Sequence, residues 1–420
     1  MEQILRRGEI AMKRIVITGM GAVTPIGIGV EEYWKNVISG VSGIDTIKSF
    51  DPSELAVQIA GEIKNFNPLD YLSKDLVRKT DPFMQYAYIA AQEAINQSKI
   101  EIEPERTGMV MGTAMSGVTA TAFTQDELSR TSHKKVSPRF VPKILGNIAA
   151  AIIAIDYNIQ GPSYTVSTAC SSGVDAIGTA IMCMQSGRAD VMLAVGAESV
   201  LCPLVINSLA NAKALSRRND SPSSASRPFD ISRDGFVIGE GGGALVLETE
   251  EHALARGAKI YGEVVGCGNT CDAYHVTAPH PEGRGAIACM KLALAEAGLK
   301  PSDIGYVNAH GTATGKGDTV ESGAIKELFG SNIPLVSSTK GATGHMMGAG
   351  GITETIACIK AVETGIVPPT INLNEIDPEC AGIDFVPNTA RKAEINFAMS
   401  NAFGFGGQNS SIIVGKYSQD

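Results

Sequence analysis

The chain has 420 residues, 44% of them hydrophobic and 19% charged, with 46 glycines and a formal net charge of −9. That length exceeds one ordinary core and predicts two domain-sized units of a soluble globular protein. The negative balance argues against a nucleic-acid binder, which carries a basic face, and no apolar run approaches the roughly 20 residues a membrane span requires.

The opening stretch, MEQILRRGEIAM, carries charge but no apolar core and no small-residue cleavage site. Residues 1–12 therefore read as an extension ahead of the first strand, not as a secretory signal. Residues 14–18 form a strand-like run that leads to Gly19-Met20-Gly21, a candidate turn. Residues 81–98 space their apolar side chains as a helix does, and 107–111 form a second strand ending at Gly112.

The middle of the chain is the most informative. A β-rich run at 164–168 stops at Ala169-Cys170-Ser171-Ser172-Gly173, after which Val174, Ile177, Ile181 and Met182 keep the spacing of one buried helix face. Gly187 ends that helix, and 191–195 is a continuous apolar run, as in a strand covered on both faces. The order recurs later: a strand at 304–308 ends at His310-Gly311-Thr312, and one at 335–339 precedes a glycine-rich run and a helix reaching Gly365. VSTACSSGVDAIG and VSSTKGATGHMMGAGGI share strand, polar turn and helix, which predicts a duplicated α/β unit with its boundary near 261–265.

Three clusters carry candidate chemistry. Cys170 sits where a strand meets a helix, a place with free backbone N–H groups and a dipole that favours a thiolate. From TACSSG alone, a nucleophile and a small core cysteine both fit. His310 stands at the C-terminal end of a strand, where α/β folds place ligands. Thr312 and Thr314 beside it offer hydroxyls to a polar substrate, Asp318 is a candidate helix cap, and Glu321 extends an acidic first turn. Lys340 and His345 lie five residues apart across glycines, and Glu354 is placed to neutralise a buried Lys340. Eight cysteines without short paired spacings predict free thiols in a reducing cytoplasm. Cys267 and Cys271 have no second pair at zinc-finger spacing, so no metal is expected.

Together these clusters resemble the β-ketoacyl-[acyl-carrier-protein] synthases, in particular the type II elongating enzymes. The resemblance also covers ASRPFDISRDGFVIGEG, DAYHVTAP and SNAFGFGGQN, and runs from about residue 13 to 417. It implies a thiolase-like five-layered αβαβα fold of two similar halves, 13–262 with the nucleophilic cysteine and 263–420 with two catalytic histidines. It implies that Cys170 takes the acyl group and that His310 and His345 serve decarboxylation of a malonyl thioester. Lys340 would hold the geometry through Glu354, and the N–H groups of Cys170 and Phe405 would form the oxyanion hole. Phe405 would gate the site, with Asp272 and Thr277 in the companion loop, and Thr312 and Thr314 would meet the pantetheine arm.

The same resemblance implies an acyl carrier protein as partner, docked on Arg78, Lys79 and Lys213 with Arg217 and Arg218 nearby. It implies a homodimer and no metal or organic cofactor, the substrates riding on the carrier's phosphopantetheine. Ala313-Thr314-Gly315-Lys316-Gly317 and Gln408 depart from the usual elongating pattern beside the carrier arm and the gate. These departures bear on substrate, and keep open a ketosynthase subunit of a type II polyketide or polyene system paired with a chain-length homologue. A thiolase is disfavoured by the second histidine, and a non-catalytic pairing subunit by the retention of Cys170.

Overall fold

The computed structural model describes residues 12–132 and 135–419; of the expected extension, residues 1–11 lie outside the described residues. Five strands of the first half are β1 (Ile15–Thr24), β2 (Thr107–Gly112), β3 (Ser163–Val166), β4 (Val191–Glu198) and β5 (Gly241–Thr249). The second half supplies β6 (Gly262–Cys271), β7 (Ile304–Asn308), β8 (Leu335–Ser337), β9 (Phe397–Phe403) and β10 (Gln408–Gly415). Across the sheet the order is β3-β2-β4-β5-β1 and, continuing, β6-β10-β9-β7-β8. Each half thus repeats one scheme, third-second-fourth-fifth-first, with parallel pairing among its second, third and fourth strands and antiparallel pairing elsewhere. The halves join where Ile15, Val16 and Ile17 pair antiparallel with Val264, Glu263 and Gly262.

Helices α1 (Pro82–Ser98) and α2 (Gly146–Tyr157) cover one outer face, and α4 (Arg284–Ala297) and α5 (Gly315–Phe329) the other, while α3 (Ser172–Gln185) and α6 (Gly350–Thr364) lie between the two halves of the sheet. The strands' period of two explains why their apolar runs are unbroken. In β4, Val191, Leu193 and Val195 face α1, while Met192 and Ala194 face α3 and α6. In the second half, Val307 and Met399 face α4 and α5, while Tyr306 and Ala398 face the middle layer. Helix α6 is buried from Gly350 to Val362, as a central helix must be. The result is the five-layered, thiolase-like arrangement.

Two local expectations are corrected. Gly19 and Gly21 do not form a turn; β1 continues to Thr24. They are glycines because α1 crosses there: a Cβ at Gly19 would lie 2.1 Å from the Ala94 carbonyl oxygen, and one at Gly21 1.9 Å from that of Ala90. Met182 is 64% exposed, because it falls on the stripe of Asp175 and Thr179 and not on the Val174–Ile177–Ile181 face.

Candidate active site

Strand β3 ends at Val166, a single 3₁₀ turn spans Ala169–Ser171, and α3 begins at Ser172. Ala169 has φ +52°, a left-handed conformation unfavourable for a residue with a Cβ. The sharp elbow it makes lifts Cys170 out of the sheet to the head of the middle layer. The start of α6 meets it there: the corresponding turn, Met347–Ala349, also carries a left-handed residue, Met347 at φ +46°. A Cβ at Gly351 would come within 2.6 Å of the Val174 backbone nitrogen, so the glycines of 341–351 let two helix starts touch.

Cys170 Sγ lies 2.9 Å from His345 Nε2, and one donor atom each of Cys170, His310 and His345 falls within 4.8 Å of the others. The two imidazoles stand edge-to-face with ring centres 5.3 Å apart. His310 is held from below: its N–H and that of Gly311 each donate to a separate oxygen of Glu321 at 2.8 Å. His345 is held from the side, its N–H donating to Val237 O at 2.7 Å and its carbonyl accepting from Gly239. Phe236 packs edge-on against the His345 ring. Lys340, 1% exposed, ion-pairs with Glu354 on α6.

Burial is the largest influence on these groups. It drives His310 and His345 well below the ordinary histidine range, and the nearby Lys340 charge adds to the effect, so both imidazoles are neutral. Burial also pushes the Cys170 thiol up to about 11. The lowering expected at a helix start is therefore corrected: desolvation outweighs the Phe405 N–H bond to the sulfur and the Lys340 charge. The resting sulfur is a thiol, and it lies against Nε2 of the neutral His345 imidazole.

Phe405 brings its N–H to Cys170 from the turn between β9 and β10. Phe405 as a whole is 42% exposed. That turn is bound to the 272–280 loop, with Gly406 N–H donating to Val276 O and Asp272 N–H to Gly407 O, both at 2.8 Å. Asp272 has both carboxylate oxygens engaged within the chain, by Asn409 Nδ2 at 2.8 Å and the His280 N–H at 2.9 Å. Asp272 positions the loop. Thr277 is exposed on it.

Thr312 and Thr314 hydrogen-bond to each other at 3.1 Å, beside an open cavity of about 480 Å³ lined by Arg233, Tyr274, Gly315 and Lys316. Asp318 is not the N-cap residue: α5 begins at Gly315 with Thr314 as N-cap, and Asp318 lies in the first turn, where its carboxylate takes the Thr314 and Ala313 N–H groups. There its carboxylate accepts the Phe229 N–H at 2.8 Å. Glu321 lies a turn further on, so it braces the His310 turn and is no part of an acidic first turn. Arg78 and Lys79 are exposed on the short helix Lys74–Lys79, where Lys79 pairs with Asp75; Lys213 is exposed on a separate turn.

Sequence reasoning missed Glu198, at the end of β4. It receives N–H donors from Ala114 (2.6 Å), Met115 (3.1 Å) and Gly348 (3.2 Å), and so fixes the turn before α6. An acid closing the apolar run VMLAVGAE was the signal available. The Val237–Gly239 clamp on His345 is a backbone contact and left no such signal.

With this geometry in view, comparison with known proteins decides the family. Residues 12–253 match the profile described as Beta-ketoacyl synthase, N-terminal domain, and 261–374 match Beta-ketoacyl synthase, C-terminal domain. The chain belongs to the beta-ketoacyl synthase family. Among curated family members, 3-oxoacyl-[acyl-carrier-protein] synthase 2 of Synechocystis sp. is 44% identical over 411 residues, covering 96% of this chain and 98% of the relative. Among solved structures, the ishigamide ketosynthase/chain length factor superposes with a TM-score of 0.91 at 34% identity, covering 97% of this chain and 100% of that one. The complex AntDE:AntF, a type II polyketide acyl-carrier protein with its ketosynthase bound to the hexaketide, gives 0.89 at 32% identity, with the same coverage. No helix among the described residues is long and apolar enough to cross a membrane.

Proposed function

We propose that the chain is an elongating β-ketoacyl-[acyl-carrier-protein] synthase of fatty-acid biosynthesis, with Cys170 as acyl acceptor and His310 and His345 as the decarboxylating pair. The observation that carries this reading is the buried cluster itself: a thiol 2.9 Å from one neutral imidazole, with a second neutral imidazole beside it. In the first half-reaction the Cys170 sulfur attacks a carrier thioester. Its proton passes to His345 Nε2 and on to the departing carrier sulfur, so one thiol replaces another with no net proton released. The N–H groups of Cys170 and Phe405 stabilise the tetrahedral oxyanion. In the second, His310 and His345, the latter now as the tautomer that carries its proton on Nε2, donate N–H bonds to the malonyl thioester oxygen while carbon dioxide leaves. The enolate attacks the acyl group on Cys170, and the released thiolate takes up one proton. Lys340 and Glu354 hold this site, Thr312 and Thr314 face the pantetheine arm, and no metal or organic cofactor enters the scheme.

The two halves, 13–262 and 263–420, supply the thiol and the imidazoles respectively, and we place the enzyme in the cytoplasm as a homodimer. A ketosynthase working with a chain-length homologue is the second reading, supported by the likeness to the ishigamide pair. Incubation of this chain alone with acyl- and malonyl-carriers separates the two. A β-ketoacyl-carrier with two added carbons and an acyl adduct on Cys170 supports the first; a chain that elongates only after a homologue is added supports the second.

Phe405 gates the acyl chain. A core phenylalanine truncated to alanine costs about 3–5 kcal/mol, but Phe405 is an exposed residue. Phe405→Ala should therefore slow acylation or condensation and leave the melting temperature almost unchanged; strong destabilisation with normal turnover per folded molecule would make it a packing residue. For the carrier, simultaneous Arg78→Glu, Lys79→Glu and Lys213→Glu should raise KM for carrier-bound substrates. It should also flatten their salt dependence, because exposed attraction is screened over about 8–10 Å at ordinary ionic strength. Unchanged kinetics would return the three to the ordinary solvated surface.

A further inference from the structure

Asp175, in the first turn of α3, is the acceptor for four side-chain donors. Its Oδ2 takes the hydroxyls of Thr168 and Ser171 (2.9 Å for Ser171), the residues that flank the Ala169-Cys170 elbow. Its Oδ1 takes Asn269 Nδ2 from β6 and Ser410 Oγ from β10, the latter at 2.5 Å. Asn269 and Ser410 are cross-strand partners and are themselves bonded at 3.0 Å. One carboxylate thus ties the first half's elbow to the second half's strand pair.

The position of β10 gives this its consequence. It starts at Gln408, directly after the Gly404–Gly407 turn that carries Phe405, and Gly404 N–H closes that turn on Gln408 O at 2.7 Å. The turn presses on the elbow so closely that a Cβ at Gly404 would lie 2.7 Å from Thr168 O and 3.3 Å from Cys170 N. The two proposed oxyanion donors, Cys170 N–H and Phe405 N–H, belong to different halves, and no chain connection sets their separation. A left-handed residue such as Ala169 also persists only where its surroundings over-determine it. We infer that Asp175 is a positioning residue which fixes the Cys170 elbow against the Phe405 turn and so sets the spacing of the oxyanion hole. The inference rests on the condensing-enzyme reading for its chemistry, though not for its geometry.

Acyl transfer to Cys170 passes through an oxyanion; alkylation of the same sulfur by iodoacetamide does not. In Asp175→Ala, acylation by saturating acyl-carrier should fall about 100-fold, the scale of a misplacement near 1 Å at a reacting centre. KM and the alkylation rate should change little. Asp175→Asn should lie between, since its amide oxygen still serves Thr168 and Ser171 while its NH₂ faces two donors. Ser410→Ala, which removes one of the two struts between halves and leaves that of Asn269, should show the same selectivity in weaker form and carries the test if Asp175→Ala fails to fold. Unchanged acylation, or acylation and alkylation falling in step, overturns the proposal. Amide exchange supplies a readout independent of activity: residues 168–172 and 404–410 should both exchange faster in Asp175→Ala, and no change in either refutes the clamp. A parent protein that takes no acyl group while these amides respond as expected would sink the condensing reading and leave the clamp standing.

Discussion

Cys170→Ala is expected to remove both the acyl-enzyme and all condensation, while leaving a folded protein. The side chain is buried, so a reader of the core alone would expect a packing residue, and Cys170 does sit in a cluster with Val200, Leu201, Cys202 and Met347. Its surroundings are those of a reacting group. It stands on a left-handed elbow, it accepts the Phe405 N–H, and it faces an imidazole at 2.9 Å, none of which packing requires. Truncation removes one sulfur atom, a loss of order 1 kcal/mol against a stability of about 5–15 kcal/mol. Mass spectrometry of the intact protein after exposure to acyl-carriers reads the outcome directly. A persistent adduct in the variant, mapped to Cys183 or Cys202, would overturn the assignment.

The sequence exposed the chemistry better than its scaffolding. Cys170, His310 and His345 each follow a strand in a turn of small residues, and that local pattern survives intact in the fold. The duplication was legible for the same reason, since VSTACSSGVDAIG and VSSTKGATGHMMGAGGI do lead into the paired helices α3 and α6. Acids were harder to read. Asp318 and Glu321 follow a glycine turn, so a cap and an acidic first turn were the natural expectations; the helix starting at Gly315 keeps Asp318 in its first turn and carries Glu321 further in, where it braces His310. Gly19 and Gly21 misled similarly, because close approach of a helix and a tight turn demand the same residue. Asp175 and Glu198 act on segments distant in sequence, and no local pattern encodes such partners.

Replacing His310 or His345 with Ala should depress malonyl decarboxylation by about 10²–10³-fold each, the usual loss for one donor to a developing oxyanion. The variants separate in the other half-reaction. His310→Ala should still acylate Cys170 substantially, whereas His345→Ala, which removes the base at the sulfur, should slow both steps. Their pH dependence is the sharper test. Burial and the Lys340 charge hold both imidazoles well below 6.5, so the neutral form persists into mild acid. Carbon dioxide release by Cys170→Ala, which isolates this step, should therefore stay flat from pH 8 to about 6, where an ordinary histidine of pKa about 6.5 would already be mostly protonated. The Lys340 contribution has a definite sign. Removing a neighbouring cation favours the imidazolium, so the acid limb should move to higher pH. Lys340→Met alone would strand Glu354 in the core, a loss of about 3–5 kcal/mol. The double variant Lys340→Met, Glu354→Gln removes both charges and keeps the shape. An acid limb already centred at 6.5 in the parent would mean that the imidazoles are not held neutral. A limb unmoved by the double variant would mean that Lys340 acts on the site through shape and not through charge.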